Sequence, residues 1–310
     1  MVRAALARDV PVYVPLDATT RGDSLVQRLR ADSAAGRVAL RSLRRIVDSM
    51  RVVKDEQEIA ALRRAVTISG NAHIELMRAA RDTMWEHELE AILEGAFRRQ
   101  GADRVGYPSI VGCGANGVVL HYDVNRDRCR PGDLLLVDAA AEWGQYTADI
   151  TRTFPLSGTF TARQRALYDL VLGAQQAAMD AVRPGQTMAE LTRLAREYLR
   201  ANSGTLCGDR TCDTYFIHGL SHGIGMDVHD PGSLTPLRPG AVFTIEPGIY
   251  LPQEGIGIRI EDDILVTATG YENLSAFVPR TADDIERLMR SARGAPPAGR
   301  GDGPRARSER

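Results

Sequence analysis

The sequence predicts an α+β fold. Helical periodicity recurs in long blocks, apolar strand-like runs between them fold back as hairpins, and regular strand–helix–strand alternation is absent, which disfavours a doubly wound sheet. The 310 residues, 44% apolar and 25% charged, have globular composition and suffice for one large domain or two ordinary ones.

In chain order, Val10 to Val14 reads as a short strand, and Ser24 to Leu29 and Arg37 to Met50 read as helical pieces. Residues 1–50 look like the end of a unit rather than a complete fold. A stronger helix begins near Asp55, where Ile59, Leu62, Val66, Ser69, His73 and Met77 recur at helical spacing. Capping boxes, in which a Ser/Thr and an acid or amide three residues on satisfy orphan N–H groups, mark four further helix starts. They are Thr83 with Glu86 (to about Arg99), Thr161 with Gln164 (to about Val182), Thr187 with Glu190 (to about Asn202), and Thr281 with Asp284 (to about Arg293). Pro184-Gly185 separates the middle two. Asp133 to Ala139 and Tyr146 to Phe154 form a hairpin about Trp143-Gly144, and Ala241 to Glu246 and Ile256 to Thr267 read as strands. Beyond Arg293, Gly, Pro, Ala and Arg dominate; residues 294–310 are expected to be a disordered tail.

A formal net charge of -1 provides no field to draw the chain to nucleic acid or an anionic membrane. Arg41, Arg44 and Arg45 read as a solvated helix face. No run of eighteen apolar residues is present, and Arg8-Asp9 interrupts the start before a secretory segment forms, so a cytoplasmic location is the default expectation. Four cysteines are too few for a disulfide scaffold of this length. Cys113, Cys129, Cys207 and Cys212 are expected to be free thiols, with a metal pair or a disulfide between Cys207 and Cys212 as the alternative.

The chemistry concentrates in four places. Asp138 ends Leu134-Leu135-Leu136-Val137, and Asp149 lies between Ala148 and Ile150 on the returning strand. An ionised carboxylate in an apolar sheet is costly unless paired or metal-bound, and the turn lets both reach one point. Three of the six histidines (His218, His222 and His229) fall within twelve residues, among glycines that permit close backbone approach. His73 and His87 sit in helical patterns and read as ordinary core or surface residues. Glu246 closes the apolar run Phe243-Thr244-Ile245, and Arg259, Glu261 and Asp263 alternate onto one face of the last strand. An isolated Glu–Arg pair is the bland alternative there.

Two patterns are decoys. Gly112-x-Gly114-x-x-Gly117 fits a dinucleotide fingerprint on paper, but that motif must open a helix, whereas Val118 to Tyr122 reads as strand. His218-x3-His222 lacks the Glu of a helical zinc motif, and its glycines disfavour a helix.

Taken together, these segments resemble the pita-bread-fold metallopeptidases (family M24), specifically the Xaa-Pro aminopeptidase and prolidase branch. The matching phrases are Asp138-x10-Asp149 with ITRTFP from Ile150, HGLSHGIGMDVHD from His218, TIEPGIY from Thr244 and GIGIRIEDD from Gly255; the likeness runs from about Val53 to Arg293. It implies a curved, mostly antiparallel sheet with helices on its outer face, and a catalytic unit at 51–293 preceded by the remnant of an N-terminal domain and linker at 1–50. It also implies a ligand set for two divalent metal ions. Asp138 would bind one ion through both oxygens, Asp149 and Glu261 would bridge, and His222 and Glu246 would complete the other. Oxygen-rich ligation suits Mn²⁺ and tolerates Co²⁺ or Zn²⁺. A bridging hydroxide would attack the scissile carbonyl, with Glu246 as proton shuttle. By the same resemblance, His121 and His229 contact substrate and steady the tetrahedral intermediate, His218 lies beside the proline pocket, and Arg259 lies beside the bridging Glu261.

The implied activity is removal of an N-terminal residue that precedes proline. The alternatives are an Xaa-Pro dipeptidase and a catalytically inactive binding member of the fold. Creatinase and histone-chaperone relatives typically lose ligands, and all five are present here. Methionine aminopeptidases share the ligand types, but the HGLSH, DVHD and GIRIEDD phrases favour the proline-directed branch. The implied partner is a peptide with proline in second position, and a homo-oligomer is compatible. The short front end and the short loop from Tyr250 to Gly255 would open the rim of the cleft.

Overall fold

The computed structural model describes residues 11–16, 23–232 and 236–294. It opens with two short strands, Val12–Val14 (β1) and Leu40–Ser42 (β2), paired in parallel around the helix Ser24–Ala34 (α1). The helix expected over Arg37 to Met50 is therefore shorter, Arg44–Arg51 (α2), because Leu40 to Ser42 finds a strand partner in β1. Arg41 lies on that strand, not on a helix face with Arg44 and Arg45. Val10 and the tail beyond Gly294 lie outside the described residues.

Glu56–Ala79 (α3) is a 24-residue helix capped as expected: Asp55 accepts from the Gln57 and Glu58 amides, and Glu58 returns to the Asp55 amide. Its buried face carries Leu62, Val66, Ser69, His73 and Met77. The next helix, Glu86–Arg99 (α4), starts later than Thr83 implies. Thr83 has a φ of 70°, and the carboxylate that reaches back is Glu88, which accepts from the Trp85 amide at 2.8 Å. Glu86 is instead fully buried and accepts from the Cys113 and Asp127 amides, Asn116 Nδ2 and the Tyr122 hydroxyl. The boxes at Thr161, Thr187 and Thr281 open Ala162–Met179 (α5), Met188–Asn202 (α6) and Ala282–Gly294 (α7) as expected.

The strands form small, mostly antiparallel sheets. Ile110–Cys113 (β4), Leu134–Asp138 (β5) and Thr151–Pro155 (β8) form one, with Asp138 opposite Thr151. Arg104–Val105 (β3), Ala141–Trp143 (β6) and Tyr146–Thr147 (β7) form a second, turning tightly at Gly144 and Gln145, both at positive φ. Val242–Ile245 (β9), Asp262–Val266 (β12) and Tyr271–Asn273 (β13) form a third. Gly248–Leu251 (β10) pairs with Ile256–Arg259 (β11). The single strand expected over Ile256 to Thr267 is thus two, and Glu261 sits at the joint between sheets.

Helices α3 to α7 pack against these sheets over a continuous apolar core that runs from Ile68 and Leu89 through Leu135, Phe154 and Tyr168 to Met289. Residues 118–122, expected to be strand, form no strand: a 3₁₀ turn at Gly114–Val118 leads into loop. The decoy glycines serve packing. A Cβ on Gly112 would come 2.9 Å from the Gly117 amide, and one on Gly257 would come 1.8 Å from the Gly117 carbonyl. The cysteines are paired, not free: Cys113 with Cys129 and Cys207 with Cys212, at Cα–Cα distances of 5.4 and 5.3 Å. The first pair was not expected at all, because its partners are sixteen residues apart and meet only through the fold.

Candidate metal centre and peptide cleft

Backbone pairing carries the candidate residues to one place. Asp138 ends β5, and Asp149 lies just before β8. The Glu261 amide donates to the Thr151 carbonyl at 3.1 Å, which sets the β11–β12 joint against β8. The segment 220–224 runs beside β9: Thr244 N donates to His222 O at 3.0 Å, and Ile224 N to Val242 O at 3.1 Å. That pairing presents His222 next to Glu246. A side chain at Gly223 would meet the Asp230 carbonyl at 2.8 Å, so glycine is what lets the loop bearing His229 close over this segment.

The result is a cavity of about 490 Å³ lined by all five candidate ligands and by His121, His218, His229 and Arg259. Asp149, His222 and Glu261 offer ligand atoms within 4.8 Å of one another. Asp138 and Glu246 line the same cavity outside that tight trio. His222 Nε2 is 3.4 Å from Asp149 Oδ2 and 3.5 Å from Glu246 Oε1. The His229 ring stands edge-on to His222, with centroids 4.2 Å apart. His218 Nε2 is 2.8 Å from the Tyr250 hydroxyl, and its Nδ1 is 3.5 Å from Glu246 Oε2. His121 lines the cavity and is exposed, with no hydrogen bond or ion pair among the described residues.

Four carboxylates share this space with one fixed cation. Arg259 donates to Asp138 Oδ2 at 2.6 Å, to the Tyr250 hydroxyl at 2.9 Å and to Thr151 Oγ1 at 3.1 Å. Burial, and then the neighbouring acids, push Asp149 and Glu246 well above the usual carboxylate range and Glu261 up to about 8. Burial, followed by His229, holds His222 down near 4; burial, followed by Arg259, does the same to His218. Both imidazoles are therefore neutral at pH 7, with a lone pair to offer. A buried set of crowded acids and a neutral imidazole is a donor set that divalent cations fit, because their charge offsets the repulsion.

Sequence reasoning missed two tyrosines and the partner of Asp263. Tyr107 Oη lies 2.7 Å from Asp138 Oδ1 and 2.5 Å from Asp149 Oδ1. Tyr250 joins His218 to Arg259. Asp263 Oδ2 accepts from the Asp149 amide at 3.1 Å. The Gly before and the Pro after Tyr107 could have drawn attention to it, but nothing local gives its direction.

The sequence profile of the metallopeptidase family M24 matches residues 60–268. The chain belongs to this family. Among M24 relatives, the Xaa-Pro aminopeptidase of Escherichia coli (strain K12) is 40% identical over 297 residues, which cover 87% of this chain and 67% of that protein. Intermediate cleaving peptidase 55, mitochondrial, of Arabidopsis thaliana is 35% identical over 264 residues, covering 81% and 54%. Among solved structures, proline aminopeptidase P II from Yersinia pestis matches with a TM-score of 0.82 at 41% identity, over 90% of this chain and 71% of that one. Zn-substituted E. coli aminopeptidase P in complex with product matches with a TM-score of 0.84 at 39% identity, over 92% and 71%. The α+β pita-bread architecture expected from the resemblance is the architecture of this M24 chain. No helix among the described residues is long and apolar enough to cross a membrane.

Proposed function

We propose that this M24 chain is an Xaa-Pro aminopeptidase that removes the N-terminal residue preceding proline. The observation that carries the reading is the convergence of Asp138, Asp149, His222, Glu246 and Glu261 on one cavity together with His121, His218, His229 and Arg259. The E. coli relative at 40% identity bears the name Xaa-Pro aminopeptidase. Residues 51–293 are the catalytic unit in this reading, preceded by residues 1–50, in a cytoplasmic setting; a homo-oligomer is compatible.

The five ligands would hold two divalent cations, Mn²⁺ foremost and Co²⁺ or Zn²⁺ as substitutes; bound there, such ions supply charge for a developing oxyanion and lower the pKa of water from 15.7 to about 7. Glu246, half-buried in the cleft, would as a carboxylate take the proton from the attacking water and return it to the departing proline nitrogen. His229 and His121 stand at the open side, where they donate to the oxygen that gains charge. His218, fixed by Tyr250, borders the proline side, and Arg259 holds Asp138 in place.

The test compares Ala-Pro-Ala with Ala-Pro on protein loaded with Mn²⁺ and analysed for metal. Release of alanine from the tripeptide well above the dipeptide supports the aminopeptidase. Preference for the dipeptide would favour a dipeptidase, and absence of both metal and turnover would favour an inactive binding member. Asp149→Ala is expected to abolish turnover, and His229→Ala to lower kcat with metal content kept.

A further inference from the structure

One charged group in the cleft has no part in that chemistry. Of the carboxylates lining the cavity among the described residues, Asp123 alone lies outside the five candidate ligands. It is exposed at the mouth, two residues beyond His121, and has no hydrogen bond or ion pair among the described residues.

Its loop is nevertheless fixed. Tyr122, on one side, donates to Glu86 Oε2 at 2.8 Å and accepts from Asn116 Nδ2 at 2.9 Å. Asn125, on the other side, is 1% exposed at a φ of 47°. Its side chain accepts from the Val111 amide at 3.0 Å and donates to Ser109 O at 2.7 Å and Glu90 Oε1 at 2.9 Å. The Cys113–Cys129 pair closes the base of the loop. Arg128, five residues on from Asp123, donates to the Thr83 carbonyl at 3.0 Å. An unneutralised carboxylate is thus held on a rigid rim, beside the otherwise apolar lining of Pro108, Ile110 and Leu120.

We infer that Asp123 is a specificity-determining residue that favours peptides with a lysine or arginine downstream of the proline. The inference rests on the aminopeptidase reading. Such an enzyme has one residue on the amino side of the scissile bond and all the rest of the peptide on the other. The scissile bond must reach the buried cluster, so the downstream chain is the part that crosses the open rim. A cationic side chain there gains an exposed ion pair, and an acidic one meets a like charge.

The experiment measures kcat/KM on Mn²⁺-loaded protein for Ala-Pro-Arg-Ala, Ala-Pro-Leu-Ala and Ala-Pro-Glu-Ala. The wild type is expected to prefer the Arg peptide over the Glu peptide by roughly fivefold to tenfold, with the Leu peptide between. Asp123→Asn is expected to bring the Arg/Glu ratio close to unity, and Asp123→Lys to invert it. The wild-type ratio is expected to shrink when ionic strength rises from about 10 mM to about 1 M, as the Debye length falls from ~30 to ~3 Å. A wild-type ratio of one, or a ratio that survives in Asp123→Lys, overturns the assignment while leaving the aminopeptidase intact. No turnover of any of the three peptides overturns the aminopeptidase and this assignment with it.

Discussion

Arg259 and Asp138 meet at 2.6 Å, and both are buried. Among the described residues, Arg259 is the only Lys or Arg lining the cavity with four acids of the ligand set. In chelator, Arg259→Met is expected to destabilise the protein by about 3–5 kcal/mol, the usual cost of stripping one partner from a buried pair. Arg259→Lys should recover part of this, because an ammonium cannot span three acceptors as the guanidinium fork does. Urea unfolding of the three proteins decides it, and equal midpoints would show that the cluster does not depend on this cation.

Tyr107 has one hydroxyl proton and two carboxylates within reach. Burial, then Asp138, Asp149 and Glu261, keep the phenol protonated well beyond its usual range, so it can serve only as a donor to them. Tyr107→Phe is expected to weaken divalent-cation binding about tenfold while leaving the fold intact, as loss of a group that orients metal ligands commonly does. Titration calorimetry with Mn²⁺ reads this directly; unchanged affinity would make Tyr107 a packing residue.

Arg152 is closed to solvent and donates to Asp262 Oδ1 at 2.7 Å, to Glu261 O at 2.6 Å and to Pro279 O at 3.0 Å. Asp262→Ala would strand that charge, at a cost of about 3–5 kcal/mol in urea unfolding. Pairing it with Arg152→Met is expected to return part of the loss. A double variant as unstable as the single one would show that the carbonyl contacts of Arg152, not its charge balance, dominate.

His73 donates from Nε2 to the Ala139 carbonyl at 3.0 Å, and its Nδ1 has no partner. Burial pushes the imidazole down to about 4 from its ordinary 6.5. Between those values the unfolded chain binds a proton that the native one does not, so stability falls as pH drops through this window. The full effect is about 3 kcal/mol, fully present above 6.5 and lost by about 4. His73→Gln, which keeps a donor without titrating there, is expected to flatten that limb of the stability curve; parallel limbs would place the acid sensitivity elsewhere.

The ligand residues were legible because acids that interrupt apolar strands, and glycines around a histidine, are local signals with a physical cost attached. The capping boxes at Thr161, Thr187 and Thr281 were legible for the same reason: donor and acceptor lie three residues apart. The box at Thr83 misled because Glu86 had a stronger claim elsewhere, four donors from the loop at 113–127. Residues 118–122 look like strand by their apolar run but find no partner edge, and Leu120 and Val118 pack instead against Ile110 and Tyr250. The Cys113–Cys129 pair and the roles of Tyr107 and Tyr250 depend on which strands become neighbours, which no window of sequence contains.

The break at Glu261 has a mechanical consequence. Its flanks belong to separate sheets, β11 with β10 and β12 with β9, while its own amide is held by Thr151 on the edge of a third. Opening that one N–H to solvent means parting the β11–β12 joint from β8. Its hydrogen-exchange rate therefore reports the opening of that joint, and a divalent cation held by the carboxylates on either side would slow it.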